Sequence, residues 1–330
     1  MVARLVRAIA AAMLAVAPLL IACAGPGGSA PTATLPEAPS AAPTQEPKGL
    51  LFRSGFEEGV QLEPPRLEFR QWRQYLRGGD AGFDWSAAFP ARLANFQYLV
   101  YDSDAAEPSG LKDFVDTRIE TLSGRRGQTT RALYQEVRRR GGAATQNDFI
   151  LFDWDTSRTQ GYLRYWVKLQ PDLERIMPSP GMWRLLTEWK ETPSLPGHLL
   201  DFQYRWGFYV SRVAQPQFSG LAWKLEASRT EPNVPGFSTD WAKWNYSVAV
   251  PKGEWFSLEV EWLNHQENGR LAVRVNGQAI AEHKGQTQRA QGQGKLYVFM
   301  VYTGSESTDI GPAYQWVDDV ELWETPPGAP

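Results

Sequence analysis

From Leu50 to Trp323, hydrophobic and polar residues alternate in short runs separated by Gly, Pro, Asn and Asp. A period of two marks strands with one buried face and one wet face. The pattern predicts strands over Leu51–Phe56, Phe96–Tyr101, Arg131–Arg139, Asp148–Trp154, Tyr162–Leu169, Met182–Lys190, Tyr204–Arg212 and Leu221–Ala227. It predicts five more over Trp255–Trp262, Leu271–Val275, Ala279–His283, Lys295–Tyr302 and Tyr314–Trp323. Helical periodicity is nearly absent, with room for one turn within Pro171–Pro180. Asn268-Gly269 and Asn276-Gly277 are hairpin dipeptides, since both residue types tolerate the positive φ of tight type I′ turns. No Pro/Ser-rich break interrupts residues 49–325, which read as one domain ahead of a short tail at 326–330. This many strands at this spacing predict an all-β fold, a jelly-roll sandwich of two antiparallel sheets. A propeller needs a repeat of about forty residues, and the chain has none.

The N-terminal part follows another pattern. Arg4 and Arg7 precede an apolar run from Ala8 to Ala22, too short to span a bilayer comfortably but suited to a signal-peptide core over residues 1–22. The run ends Leu20-Ile21-Ala22-Cys23, which resembles the bacterial lipobox and implies lipidation of Cys23, the chain's single cysteine. Residues 23–48 then carry that Cys and a tract of Ala, Pro, Gly, Ser and Thr, with too little apolar surface to offset ordering entropy: a disordered tether. The expectation is an exported, membrane-anchored lipoprotein of the cell envelope or cell surface.

Composition removes several chemistries. With 34 Lys+Arg against 37 Asp+Glu and a net charge of −3, the chain does not read as a nucleic-acid binder. One Cys excludes a disulfide framework and Cys-based zinc clusters. His198, His265 and His283 form no HExxH pair, and neither a phosphate-binding Gly-Lys-Ser/Thr loop nor a Gly-x-Ser-x-Gly elbow occurs.

Three segments carry a family likeness. Phe52-Arg-Ser-Gly-Phe-Glu-Glu-Gly59 resembles the opening strand of concanavalin A-like jelly rolls. Gly253-Glu-Trp-Phe-Ser-Leu-Glu-Val-Glu-Trp262 with Gly269-Arg-Leu-Ala-Val-Arg-Val-Asn-Gly277 resembles their central hairpins, and Tyr314-Gln-Trp-Val-Asp-Asp-Val-Glu-Leu-Trp323 their closing strand. Within that superfamily, Tyr162-Leu-Arg-Tyr-Trp-Val-Lys-Leu169 and Met182-Trp-Arg-Leu-Leu-Thr-Glu-Trp-Lys190 are similar to polysaccharide lyases of the heparin-lyase and alginate-lyase type. The resemblance implies a glycan on the concave sheet. It also implies a structural Ca²⁺ between first and last strands, for which Glu57, Glu58, Asp318 and Asp319 are the candidate oxygen ligands. No other cofactor is required.

Alternation sorts the candidate ligand residues. Tyr162, Arg164, Trp166 and Lys168 oppose Leu163, Tyr165, Val167 and Leu169. Met182, Arg184, Leu186, Glu188 and Lys190 oppose Trp183, Leu185, Thr187 and Trp189. Arg205, Gly207, Tyr209 and Ser211 oppose Tyr204, Trp206, Phe208 and Val210, while Ala222, Lys224 and Glu226 oppose Leu221, Trp223 and Leu225. If the four strands are neighbours, their polar faces make one basic trough for an anionic polysaccharide, with Tyr162, Trp166 and Tyr209 stacking on sugar rings. A merely solvated sheet face explains the same alternation. The Arg-rich stretch from Arg118 to Arg140 reads equally as a basic surface or as a charged edge strand.

Catalysis by β-elimination needs a neutraliser for the uronate carboxylate, a base and often a Tyr acid. Where the resemblance implies a Gln and a His two residues apart, this chain has Glu188 and Lys190. A rebuilt site would use Tyr302, His198 or Tyr209 as base and Arg205 as neutraliser. Glu188 with Glu226 is a candidate carboxyl pair for glycoside hydrolysis, although the Glu-x-Asp-x-x-Glu run of the related glucanases is absent. Three readings stay open: a surface lipoprotein binding an acidic polysaccharide, a lyase with a rearranged site, and a structural or adhesion module of the envelope.

Overall fold

The structure is a computed structural model that describes residues 48–68, 71–80, 83–84, 95–100, 108–138, 145–152, 159–191, 202–289, 294–304 and 311–328. The predicted signal segment, Cys23, most of the predicted tether, His198, Arg139 and Arg140 lie outside the described residues. Tyr302 is described through its backbone alone.

In chain order the strands are β1 (Leu50–Ser54), β2 (Val60–Leu62), β3 (Arg66–Glu68), β4 (Gln71–Asp80), β5 (Phe83–Asp84), β6 (Asn95–Val100), β7 (Val115–Ser123), β8 (Thr129–Val137) and β9 (Thr145–Phe152). They continue with β10 (Gln160–Leu169), β11 (Trp183–Glu191), β12 (Tyr204–Gln215), β13 (Phe218–Arg229) and β14 (Ser238–Asn245). The last five are β15 (Trp255–Leu263), β16 (Gly269–Val275), β17 (Gln278–Gly285), β18 (Gly294–Gly304) and β19 (Ala313–Trp323). One short helix, α1 (Pro108–Leu111), and one 3-10 turn at Leu173–Ile176 complete the described elements.

The strands form two antiparallel sheets. The small sheet has 8 strands in the order β17-β16-β15-β10-β19-β8-β7, with β1 also on β19. The large sheet has 11, in the order β14-β13-β12-β11-β18-β9-β6-β4-β2, with β3 and β5 on β4. From β8 to β11 and again from β17 to β19 the chain passes back and forth between sheets, as a jelly-roll sandwich requires.

The core lies between the sheets. Leu163, Tyr165, Val167 and Leu169 of β10 face Tyr204, Trp206, Phe208 and Val210 of β12, all within one apolar cluster. Trp206 meets Trp262 across the sandwich at 6.3 Å, and Trp223 meets Phe256 at 6.0 Å. Each such fully buried side chain contributes roughly 1.5–3 kcal/mol of apolar burial. The alternation read for β10, β12 and β13 is therefore the observed one.

Of the two expected hairpin turns, one forms and one does not. Asn276 and Gly277 have φ of 50° and 74° and close the β16–β17 hairpin as a tight turn. Asn268-Gly269 does not: β15 ends at Leu263 and β16 starts at Gly269, so a longer loop intervenes. His265 Nδ1 organises that loop by accepting from the backbone N–H groups of Glu267 and Asn268.

Candidate functional site

The decisive placement is that of β10. It pairs with β15 and β19 in the small sheet, whereas β11, β12 and β13 are adjacent in the large one. Tyr162, Arg164, Trp166 and Lys168 consequently stand on the opposite side of the sandwich from Arg205 and Lys224, and the four-strand trough is corrected to a three-strand one. A sequence phase says which face of a strand is wet, but not which sheet the strand joins.

Arg184 also moves. A bulge in β11 between Leu185 and Thr187 breaks the alternation, so that Leu186 and Thr187 both turn inward. The N-terminal half of β11 is thereby inverted: Trp183 and Leu185 face outward and Arg184 faces the core. Its guanidinium is fully buried, donating from Nη2 to Gln315 Oε1 (3.0 Å) and from Nε to the Met300 carbonyl (3.3 Å). Burial pushes its pKa down to about 9. Arg184 ties the two sheets together and is not a groove residue.

Beyond the bulge, the outer face of the large sheet is laid out in transverse rows fixed by strand register. Lys295, Lys190 and Arg205 stand opposite one another across β18, β11 and β12. The next row runs Tyr297, Glu188, Gly207, Glu226 and Ala242. A third runs Leu185, Tyr209, Lys224 and Trp244, with the backbone of Tyr302 opposite Leu185. Four cations thus accompany two carboxylates across β18, β11, β12 and β13. Lys295, Trp244 and the nearby Phe202 and Phe237 were not singled out by sequence pattern; the one signal for Lys295 was its place at the head of a predicted strand.

The side chains interlock. Glu188 is almost fully buried, accepting from Arg205 Nη1 (3.1 Å) and lying 3.5 Å from Lys190 Nζ. Lys190 lies 5.0 Å from the centre of the Tyr297 ring. Arg205 lies over Phe202 (4.7 Å) and Phe237 (4.4 Å). Lys224 pairs with Glu226 and lies over Trp244 (5.2 Å) and Tyr209 (5.7 Å). Trp183 meets Tyr209 edge-on at 5.5 Å. Phe237 and Trp244 remain exposed at 52% and 40%, which leaves aromatic surface available at the β13–β14 side of the face.

Tyr209 is folded along its own strand: a Cβ on Gly207 would fall 2.7 Å from the Tyr209 hydroxyl. The phenol therefore sits between Glu188 and Glu226. Burial raises its pKa above the ordinary range, opposed by Arg205 and reinforced by the two carboxylates. It is a protonated hydroxyl at neutral pH, able to donate a hydrogen bond and poorly suited to taking a proton. Asp148 adds an unanticipated feature. Fully buried, it has no hydrogen-bond partner on either oxygen among the described residues, and burial raises its pKa well above the usual carboxylate range.

The acidic cluster at the junction of first and last strands is built differently from a cation site. The Arg125 guanidinium pairs with Asp319, and Thr130 Oγ1 lies 3.2 Å from both Glu57 and Asp318. Glu58 is exposed beside it. An arginine already supplies the positive charge, and among the described residues no group of three or more His, Cys, Asp or Glu is arranged to hold a metal. The Ca²⁺ site implied by Glu57, Glu58, Asp318 and Asp319 does not fit this arrangement.

Comparison with known proteins adds fold likeness only. No family model and no curated protein matches the chain. Among solved structures it is similar to an endo-β-1,4-glucuronan lyase from Trichoderma reesei, with 12% identity, 64% of this chain and 90% of that one covered, and a TM-score of 0.44. It is similar to a mutant alginate lyase solved with an alginate trisaccharide, with 15% identity, 58% and 81% coverage, and a TM-score of 0.41. The binding domain of a botulinum neurotoxin of serotype D/C aligns over 84% of this chain and 49% of that one, with 7% identity and a TM-score of 0.39.

Proposed function

We propose that this protein is an envelope lipoprotein that binds an acidic polysaccharide on the outer face of its large sheet, without cleaving it. The observation that carries the reading is the register of β11 to β14, which sets Lys190 beside Arg205 and lines up Tyr209, Lys224 and the exposed Trp244. Sugar rings stack on the aromatic groups while carboxylates meet the cations. Glu188 anchors Arg205 and Lys190 and Glu226 anchors Lys224, which holds three cations in place against two carboxylates.

Elimination chemistry is poorly served by the described groups. Arg205, the candidate neutraliser, is already engaged by Glu188, and Tyr209 keeps its proton. Incubation with alginate, heparin, hyaluronan and glucuronan, with co-sedimentation and ultraviolet detection of unsaturated product, tests both halves of the reading. Binding to at least one acidic polymer without product is expected. Product formation would convert the face into a lyase site. Neither binding nor product would leave the structural-module reading.

A further inference from the structure

The solvent side of the small sheet carries an arrangement that the large sheet does not explain. One register row crosses five strands as Arg118, Tyr134, Trp316, Lys168 and Trp255, over β7, β8, β19, β10 and β15. At about 4.8 Å per strand the row is roughly 19 Å long. A wet sheet face ordinarily carries small polar and charged residues. Here three large aromatic rings share the row with two cations, and the cations lie against them: Arg118 is 3.8 Å from the Tyr134 ring centre and Lys168 is 5.3 Å from that of Trp316.

The β7–β8 hairpin folds its tip over this face. The Ser123 carbonyl accepts from Trp255 Nε1 (3.2 Å), and Arg125 lies 4.3 Å from the Trp166 ring centre while pairing with Asp319. The row is thus bordered by a strap. Its charges are not equivalent. Arg118 is held by Asp116 and Glu120, whereas Lys168, between Trp316 and Trp255, has no carboxylate partner among the described residues.

We propose that this row is a second glycan site, taking a carboxylated sugar with its acid group at Lys168 and its ring against Trp316 or Trp255. An anionic bilayer would press on Glu120, Glu136 and Glu321 together, each already paired with an arginine on this face, whereas a single sugar acid need meet only Lys168. A second copy of the chain is disfavoured because none of the row's rings is exposed enough to form an apolar patch. Sites on opposite sides of one sandwich make the protein bivalent, so that it cross-links polymer chains as well as binding them.

Calorimetric titration of the full chain with defined mannuronate, guluronate and glucuronate hexasaccharides tests this, with anionic phosphatidylglycerol vesicles as a parallel arm. The expected result is two sites per chain. Lys168→Glu removes one, lowering its affinity at least about ten-fold, and Trp244→Ala weakens the other. Trp316→Ala should act like Lys168→Glu, which retains the aromatic packing and guards against mistaking unfolding for lost binding. The proposal is overturned by a single wild-type site insensitive to Lys168→Glu, by no hexasaccharide binding, or by Lys168-dependent binding of vesicles alone.

Discussion

Arg205 reaches across from β12 to donate to Glu188 of β11, and Lys190 closes on the same carboxylate from two residues along the strand. Glu188 therefore serves as the internal counter-ion of two groups that stand beside each other in register. Removing one member of a buried ion group leaves uncompensated charge, at a cost of about 3–5 kcal/mol. Glu188→Gln is expected to lose stability on that scale while binding acidic oligosaccharide more tightly, because Arg205 is released to the ligand. Urea denaturation and calorimetry on the same variant check the two effects. Unchanged stability would mean the group is not coupled as described.

Gly207 leaves the space in which the Tyr209 ring lies. Gly207→Ala places a methyl group within 2.9 Å of three ring and hydroxyl atoms, so the ring must swing away. Overpacking of this kind costs about 1–3 kcal/mol. The expected outcome is a lower melting temperature together with weaker glycan binding. Tyr209→Phe keeps the ring in place and separates loss of the hydroxyl from loss of the packing.

Asp148 gives the fold a pH dependence whose sign can be worked out. Burial raises its pKa above the ordinary 3.8, with Lys190 and Arg184 opposing and Glu188 reinforcing the shift. From 3.8 upward to the raised value, the folded state holds a proton that the unfolded chain has released. Stability therefore falls as pH rises through that window. Asp148→Asn does not titrate, so its stability relative to wild type should increase between pH about 4 and the raised pKa and stay level below that window. Urea midpoints at a series of pH values measure this, and a difference that stays flat throughout contradicts the assignment.

Arg125 fills the role of the expected metal. Chelation with EDTA, or addition of calcium, should leave the wild-type thermal midpoint where it is. Arg125→Ala frees Asp319 beside Glu57 and Asp318, and that variant is expected to be less stable and to regain stability when calcium is added. Calcium-dependent melting of the wild-type protein would show that the guanidinium does not hold this position.

Much of the sandwich was legible because its strands are strongly one-sided. Trp206, Phe208 and Val210 announce a buried face whatever they pack against, and Asn276-Gly277 announces its turn. β14 went unnoticed for the opposite reason: it lies at the edge of a sheet, and Ser238–Asn245 has no buried residue to set a phase; β4, Gln71–Asp80, went unnoticed although it lies inside the large sheet. The site was half legible. Arg205, Tyr209, Lys224 and Glu226 lie on the face their alternation assigned. Arg184 does not, because one extra residue in β11 reverses the phase ahead of it. Arg164 and Lys168 lie on the wet face of their strand but in the other sheet, because the sheet a strand joins depends on long-range pairing that local pattern leaves open. Asp148 was invisible, since a single acid in a strand reads as wet until the coordinates bury it.

Titration of an acidic hexasaccharide into wild type, Trp244→Ala and Lys224→Ala at low and high salt tests the ligand face most directly. Wild-type binding should weaken as salt rises, because the cations supply part of the attraction. Trp244→Ala should lose about ten-fold in affinity, within the reach of one aromatic contact, and keep the salt dependence. Lys224→Ala should lose affinity and flatten the salt dependence. Equal affinity in all three proteins, or a preference for a neutral hexasaccharide, would show that the row of Tyr209, Lys224 and Trp244 is not where this protein holds its ligand.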